Sequence, residues 1–189
     1  VDTAKVGVYT IIYSIVDDAK NSANISRKIT VQDVLSPRIY APIDLTLQAT
    51  SSLGLEVNSQ EIIDLLNSVI AFDDTDLAIT EIGNNAAKDY FPLGYTEIQF
   101  SVSDEAGNTG FATTNINIVD KHEPVLTLLG DNIITLNQGV EYIEEGASAT
   151  DIVDGDLSAN IQIYGNVNIN IPGSYTLLYI VTDANGNSG

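Results

Sequence analysis

The sequence predicts an all-β chain of tandem immunoglobulin-like β-sandwiches, and three observations predict it. A strand running into an acidic turn is written three times, with intervals of 87 and 79 residues between Asp17, Asp104 and Asp183. The segments around these turns are short and rich in β-branched and aromatic residues. Gly, Asn and Asp punctuate them at the spacing of a small sandwich domain.

The repeat organises the chain, so it is read first. GVYTIIYSIVDDAKN (7–21), GYTEIQFSVSDEAGN (94–108) and GSYTLLYIVTDANGN (173–187) superimpose without gaps. Gly7, Gly94 and Gly173 coincide, as do Tyr13, Phe100 and Tyr179, then Asp17, Asp104 and Asp183, then Asn21, Asn108 and Asn187. VQDVLSPRI (31–39) falls over IVDKHEPVL (118–126), which aligns Asp33 with Asp120 and Pro37 with Pro124. The expected division is 1–33, the C-terminal strands of a truncated repeat; 34–120, a complete domain; and 121–189, a domain lacking its last strand. The chain opens inside a strand-like pattern, so it is expected to be a fragment of something longer.

Each repeat reads as β. Ile98, Phe100 and Val102 alternate with Glu97, Gln99, Ser101 and Ser103, the period of two of a half-buried strand. RKITVQD and TTNINIVD are the expected partner strands. Tyr13, Tyr175 and Tyr179 sit in strand patterns and are expected in the core, whereas Tyr40, Tyr90, Tyr142 and Tyr164 are candidates for exposure. One segment departs from β. In NSQEIIDLLNSVI (58–70), Ile62, Leu65, Leu66 and Val69 follow helical spacing. The spacing predicts a short helix near 59–69, capped by Asn58 with Glu61 three residues on.

Charge narrows the function classes. Twenty-six Asp and Glu stand against seven Lys and Arg, a net charge of -19, with 44% apolar residues. That apolar share is too high for a disordered acidic tail. A chain this acidic repels nucleic acid and anionic membranes and attracts cations. There is no Cys, Met or Trp and a single His, which excludes disulfides and thiolate metal sites. No apolar run approaches the roughly 20 residues that span a bilayer, so no membrane insertion is expected in this segment.

The acids gather by topology. In an immunoglobulin-like sandwich the loop between strands B and C and the loop between F and G share one end, where the entering linker also arrives. With FDDTD as the BC loop and DEAGN as the FG turn, Asp73, Asp74, Asp76, Asp104 and Asn108 converge, joined by Asp33 from the linker. The next repeat gathers Asp120, Asp151, Asp154, Asp156, Asp183 and Asn187. Two carboxylates 4 Å apart repel by about 4 kcal/mol at an effective dielectric of 20. A hard cation with oxygen ligands relieves this best, and Ca²⁺ takes carboxylate, amide, carbonyl and water oxygens. Zn²⁺ would call for His or Cys. DIVDGD is not an EF-hand loop, because its acids fall at positions one, four and six. Weighed against the cation is the plain turn chemistry of Asp, Asn and Gly, which tolerate left-handed φ and bond their own backbone.

APIDLTLQATSSLGLEV, AFDDTDLAI and YFPLGYTEIQFSVSDEAGNTGFATTNINIVD resemble the hyalin repeat (HYR) domain over most of 36–120. The stretch 59–69 departs from that pattern. PVLTLLGDNIITLNQGVEYIEEGASATDIVDGDLSANIQIYGNVNINIPGSYTLLYIVTDANGNSG, 124–189, resembles the immunoglobulin-like repeat of bacterial pesticidal crystal proteins. The resemblance implies extracellular or cell-surface sandwiches strung in tandem, with a spacer or adhesive role and no catalysis. The expected function is a structural, adhesive segment, rod-like and stiffened by Ca²⁺ at domain junctions. The expected partners are adjacent repeats, a surface glycan or protein, and neighbouring copies by strand addition. The alternatives are a carbohydrate-binding accessory module of a secreted protein and a filament subunit joined by strand complementation. Catalysis has little footing: His122 stands alone beside a linker, and no Cys or Ser-centred motif appears.

Overall fold

A computed structural model describes residues 1–74, 79 and 81–189. Asp76 lies outside the described residues. The strands run β1 (Gly7–Val16), β2 (Ser22–Val31), β3 (Arg38–Tyr40), β4 (Leu45–Gln48), β5 (Leu55–Glu56), β6 (Ile70–Phe72), β7 (Gly83–Asn84), β8 (Tyr90–Phe91), β9 (Gly94–Ser103) and β10 (Thr109–Val119). The third repeat adds β11 (Val125–Leu128), β12 (Ala147–Asp151), β13 (Gly155–Asp156), β14 (Gln162–Tyr164) and β15 (Leu178–Ile180). The fold is all-β, with one α-helix among the described residues, α1 (Gln60–Asn67). The helix stands where its spacing predicts, with Ile62 and Leu65 buried. Its start differs from expectation. Ser59, not Asn58, precedes the first helical residue, because Ser59 N–H closes a turn onto the Glu56 carbonyl and Ile63 N–H then bonds the Ser59 carbonyl.

β1 and β2 form an antiparallel hairpin from Gly7↔Val31 to Val16↔Ser22. The central sheet has the order β4-β10-β9-β7. β4 runs parallel to the end of β10, from Leu45↔Ile116 to Gln48↔Val119, and β7 pairs antiparallel with β9. β3 pairs with β6 and β5 with β8. In the third repeat the order is β11-β12-β13, with β14 and β15 forming a separate pair.

The alternation in β9 is realised as read. Ile98, Phe100 and Val102 are buried, and Ile116, Ile118 and Thr114 are buried on β10. The third repeat has a smaller core of Ala149, Leu157 and Val181, with Leu126 and Ile161 against it. Two tyrosines depart from the core placement: Tyr13 is 51% and Tyr175 39% exposed. A two-stranded hairpin has no facing layer, so apolar residues along β1 and β2 such as Val8, Ile12, Ile15 and Ile25 stay open as well. Tyr175 lies between β14 and β15 in a stretch without strand pairing.

The chain packs as two compact units. One comprises 1–42, 68–85 and 99–113; the other comprises 43–67, 86–98 and 114–189.

Burial sets a test of the core. Phe100→Ala should cost about 3–5 kcal/mol of stability in chemical denaturation. Val8→Ala, at an exposed hairpin position, should change it by no more than about 0.5 kcal/mol.

Candidate cation sites

The three acidic turns share one geometry. Asp104 N–H donates to the Asn108 carbonyl at 3.0 Å and Gly107 N–H returns to the Asp104 carbonyl at 3.2 Å. Asp17 and Asn21 make the corresponding bond at 2.9 Å, and Asp183 and Asn187 at 3.0 Å. The residue before each Asn takes a positive φ: 69° at Lys20, 90° at Gly107 and 91° at Gly186. Gly accepts this freely, and Lys does so at a steric cost.

The carboxylate completes each turn. Asn108 N–H donates to Asp104 Oδ1 and Asn108 Nδ2 to Asp104 Oδ2, both at 2.7 Å. Asn21 holds Asp17 in the same way at 2.7 and 2.8 Å. Asn187 holds Asp183 at 2.8 and 2.6 Å. The asparagine amide also reaches the linker: Asn108 Nδ2 lies 3.4 Å from the Asp33 carbonyl, and Asn187 Nδ2 lies 3.4 Å from the Asp120 carbonyl. Both asparagines therefore act as clamps that tie the turn to the linker aspartate.

The linker is seated by features that the sequence reading missed. A Cβ on Gly110 would stand 2.0 Å from the Pro37 carbonyl oxygen, and one on Gly189 would stand 2.0 Å from that of Pro124. Only glycine permits so close an approach. The hydroxyls of Ser103 and Thr109, and those of Thr182 and Ser188, meet at 2.8 Å across the mouth of each turn. The matching of Pro37 with Pro124 hinted at these seats, and Gly110 and Gly189 share the 79-residue interval of Asp104 and Asp183, but the period alone does not show which backbone each glycine admits.

Two clusters of three carboxylates result. Asp33, Asp73 and Asp104 each offer an oxygen, all within 4.8 Å of one another; Asp120, Asp151 and Asp154 do the same. Linker and BC-loop acids thus meet in both clusters, with the FG-turn acid in the first. At that separation two unit charges repel by at least about 3 kcal/mol at an effective dielectric of 20. Asp183 stands outside the second cluster, where Asp154 supplies the third oxygen. Asp156 turns to Ser158, accepting from its N–H at 2.9 Å and its hydroxyl at 2.6 Å. Asp74 is exposed and belongs to neither cluster.

The two clusters differ in what already holds their oxygens. Asp104 has both oxygens bonded by Asn108. Asp120 Oδ1 accepts from His122 N–H at 3.0 Å, and Asp151 Oδ1 accepts from Val153 N–H at 2.7 Å and Asp154 N–H at 3.0 Å. Asp120 Oδ2 and Asp151 Oδ2 are buried and accept from no described residue. Asp154 Oδ2 accepts from Ala184 N–H at 2.8 Å, joining the BC loop to the FG turn. His122 is no solvated bystander, since its Nε2 lies 3.0 Å from the Ala49 carbonyl and its ring braces the linker.

Titration follows the clamps. The Asn21 side chain, then its backbone, hold the Asp17 carboxyl below the ordinary carboxylate range. Burial pushes Asp183 up, but the bonds from Asn187 and from the Asn185 and Gly186 backbone outweigh it, and the carboxyl sits low. A separate group lies in the third repeat. Tyr142, then Tyr179, hold the Glu144 carboxylate low, while burial and then Glu144 push Tyr179 up to about 12.

Residues 126–189 match the bacterial surface protein Ig-like domain. Across 96% of its length the chain is 25% identical to an uncharacterized 81.3 kDa protein of Acholeplasma phage L2. It is 26% identical to hyalin of Strongylocentrotus purpuratus over 80% of its length, and 32% identical to hyalin of Lytechinus variegatus over 51%. The chain spans 25%, 12% and 20% of these relatives respectively. The likeness to immunoglobulin-like surface repeats and to hyalin read from the residues is borne out.

Two outcomes are expected of the clamps. Asn108→Ala should destabilise the fold by about 1.5–3 kcal/mol, the worth of hydrogen bonds to a charged group, as read by denaturation. Asp183 binds its proton more weakly folded than unfolded, so its contribution to stability is full above the ordinary carboxylate pKa and is lost as pH falls through the lowered value. A carbon-13 NMR titration should find Asp183 below the ordinary range in the native chain. In Asn187→Ala it should move upward, with burial left as the main influence.

Proposed function

We propose that the chain is a structural and adhesive repeat segment of a larger extracellular or cell-surface protein, stiffened by Ca²⁺ at the junctions of successive repeats. The surface-type Ig-like match and the hyalin relatives support a non-enzymatic surface module. The observation that carries the cation reading is the recurrence of a three-carboxylate cluster in two successive repeats, each joining the linker aspartate to an acid of the following loop. An ion held by both linker and loop ligands restricts the angle between repeats, which makes a rod of a flexible string. Its binding adds RT ln(1 + [L]/Kd) to stability, about 2.7 kcal/mol at a hundredfold excess over Kd. Weak sites of about 10⁻⁴–10⁻³ M suffice outside the cell. No described helix is long and apolar enough to cross a membrane, which says nothing of a β-barrel.

Adjacent repeats are then the first partners, and a surface glycan or protein the target of adhesion. A carbohydrate platform finds less support. The exposed aromatic pair Tyr40 and Phe72 meets edge to face, at 6.0 Å and 76°, so the two rings do not make one continuous flat platform.

Thermal melting and solution scattering test the reading. Ca²⁺ should raise the melting temperature by several degrees and narrow the distribution of overall dimensions, and a chelator should reverse both. Superimposable melts and scattering curves with and without Ca²⁺ would contradict it.

A further inference from the structure

Within that reading, the two clusters are not equivalent, and the difference lies in oxygens the fold leaves unmet. We infer that Asp120, Asp151 and Asp154 form the primary Ca²⁺ site, which fills before the cluster of Asp33, Asp73 and Asp104 and locks the BC loop onto the FG turn of the third repeat.

Asp120 and Asp151 are 5% and 8% exposed. Each has one oxygen fixed by backbone N–H donors, so neither side chain can swing out to water without breaking those bonds. The second oxygen of each is buried and accepts from no described residue. A buried carboxylate oxygen without a donor is costly, and two of them in one cluster compound the cost through repulsion. A cation repays both at once. The first cluster has less to gain, because Asp104 already receives two hydrogen bonds from Asn108. The ligand class is a hard divalent ion. Carboxylate oxygens suit Ca²⁺, which accepts irregular shells of six to eight oxygens, better than Mg²⁺, which holds its waters in a strict octahedron.

Asp154 gives the site a second consequence. One of its oxygens accepts from Ala184 N–H, at the start of the turn that Asp183 and Asn187 close. Asp154 is exposed, unlike its two partners. An ion that draws Asp154 inward fixes this bond, and so ties the loop at 151–156 to the turn at 183–187.

Calorimetric titration of the full chain with CaCl₂ tests the inference, with hydrogen exchange at Ala184 as a second readout. Asp151→Asn keeps an oxygen to accept from Val153 and Asp154 while removing the charge and replacing the unmet oxygen with an NH₂ group. Two classes of binding are expected in the native chain. Asp151→Asn should weaken the tighter class by at least about tenfold and abolish the Ca²⁺-dependent slowing of exchange at Ala184. Asp73→Asn should remove only the weaker class. In chelator, Asp151→Asn should melt at or above the native chain, because the repulsion is gone; in Ca²⁺ it should melt below. Asp120→Asn should repeat this pattern and replaces Asp151→Asn where that variant fails to fold. No Ca²⁺ heat in the native chain would overturn this inference and the cation reading together. Loss of the tighter class in Asp73→Asn but not in Asp151→Asn would overturn the inference alone, as would tighter binding of MgCl₂ than of CaCl₂ at the site that Asp151→Asn removes.

Discussion

Buried carboxylates must be answered by something, and that constraint governs this chain. An acid in a turn normally turns its oxygens to water or to neighbouring N–H groups. Here Asp104, Asp120, Asp151 and Asp183 are all at least nine-tenths buried. Asp104 and Asp183 are answered locally, each by the side chain and backbone of an asparagine four residues on. Asp120 and Asp151 are answered on one oxygen only. The proposed ion is the answer on the other.

The asparagine clamp explains why the acidic turn is written three times. It is first a structural device: it closes the hairpin, quiets its own aspartate, and reaches the carbonyl of the linker aspartate. The glycines at 110 and 189 let the linker prolines press against the strand that follows the turn. Linker and turn are thereby held in one place before any ion arrives, and a preorganised cluster binds at lower cost than one that must assemble. In the first turn, Lys20 stands where the later turns have glycine, and Ala23 stands where they have Gly110 and Gly189.

Much of this was legible in the sequence because it is periodic. The alternation through Ile98, Phe100 and Val102 gave their burial, and the spacing of Ile62 and Leu65 gave the helix. The meeting of Asp33 with Asp73 and Asp104 follows from sandwich topology, which brings the BC and FG loops to one end. What escaped was whatever depends on side-chain competition. Asp183 stands where Asp104 does in the repeat and is held by its asparagine in the same way, yet the second cluster takes Asp154 in its place. Asp156 was indistinguishable from Asp154 until Ser158 claimed it. Tyr13 carried a core pattern, but a hairpin alone has no second layer to bury it.

Diffraction at a wavelength where calcium scatters anomalously, from crystals grown in CaCl₂, tests the central claim most directly. The account predicts a peak within about 2.3–2.6 Å of Asp120 Oδ2 and Asp151 Oδ2, with an Asp154 oxygen in its shell. A site without anomalous signal, with ordered water or a lysine side chain bonded to those two oxygens instead, would contradict it.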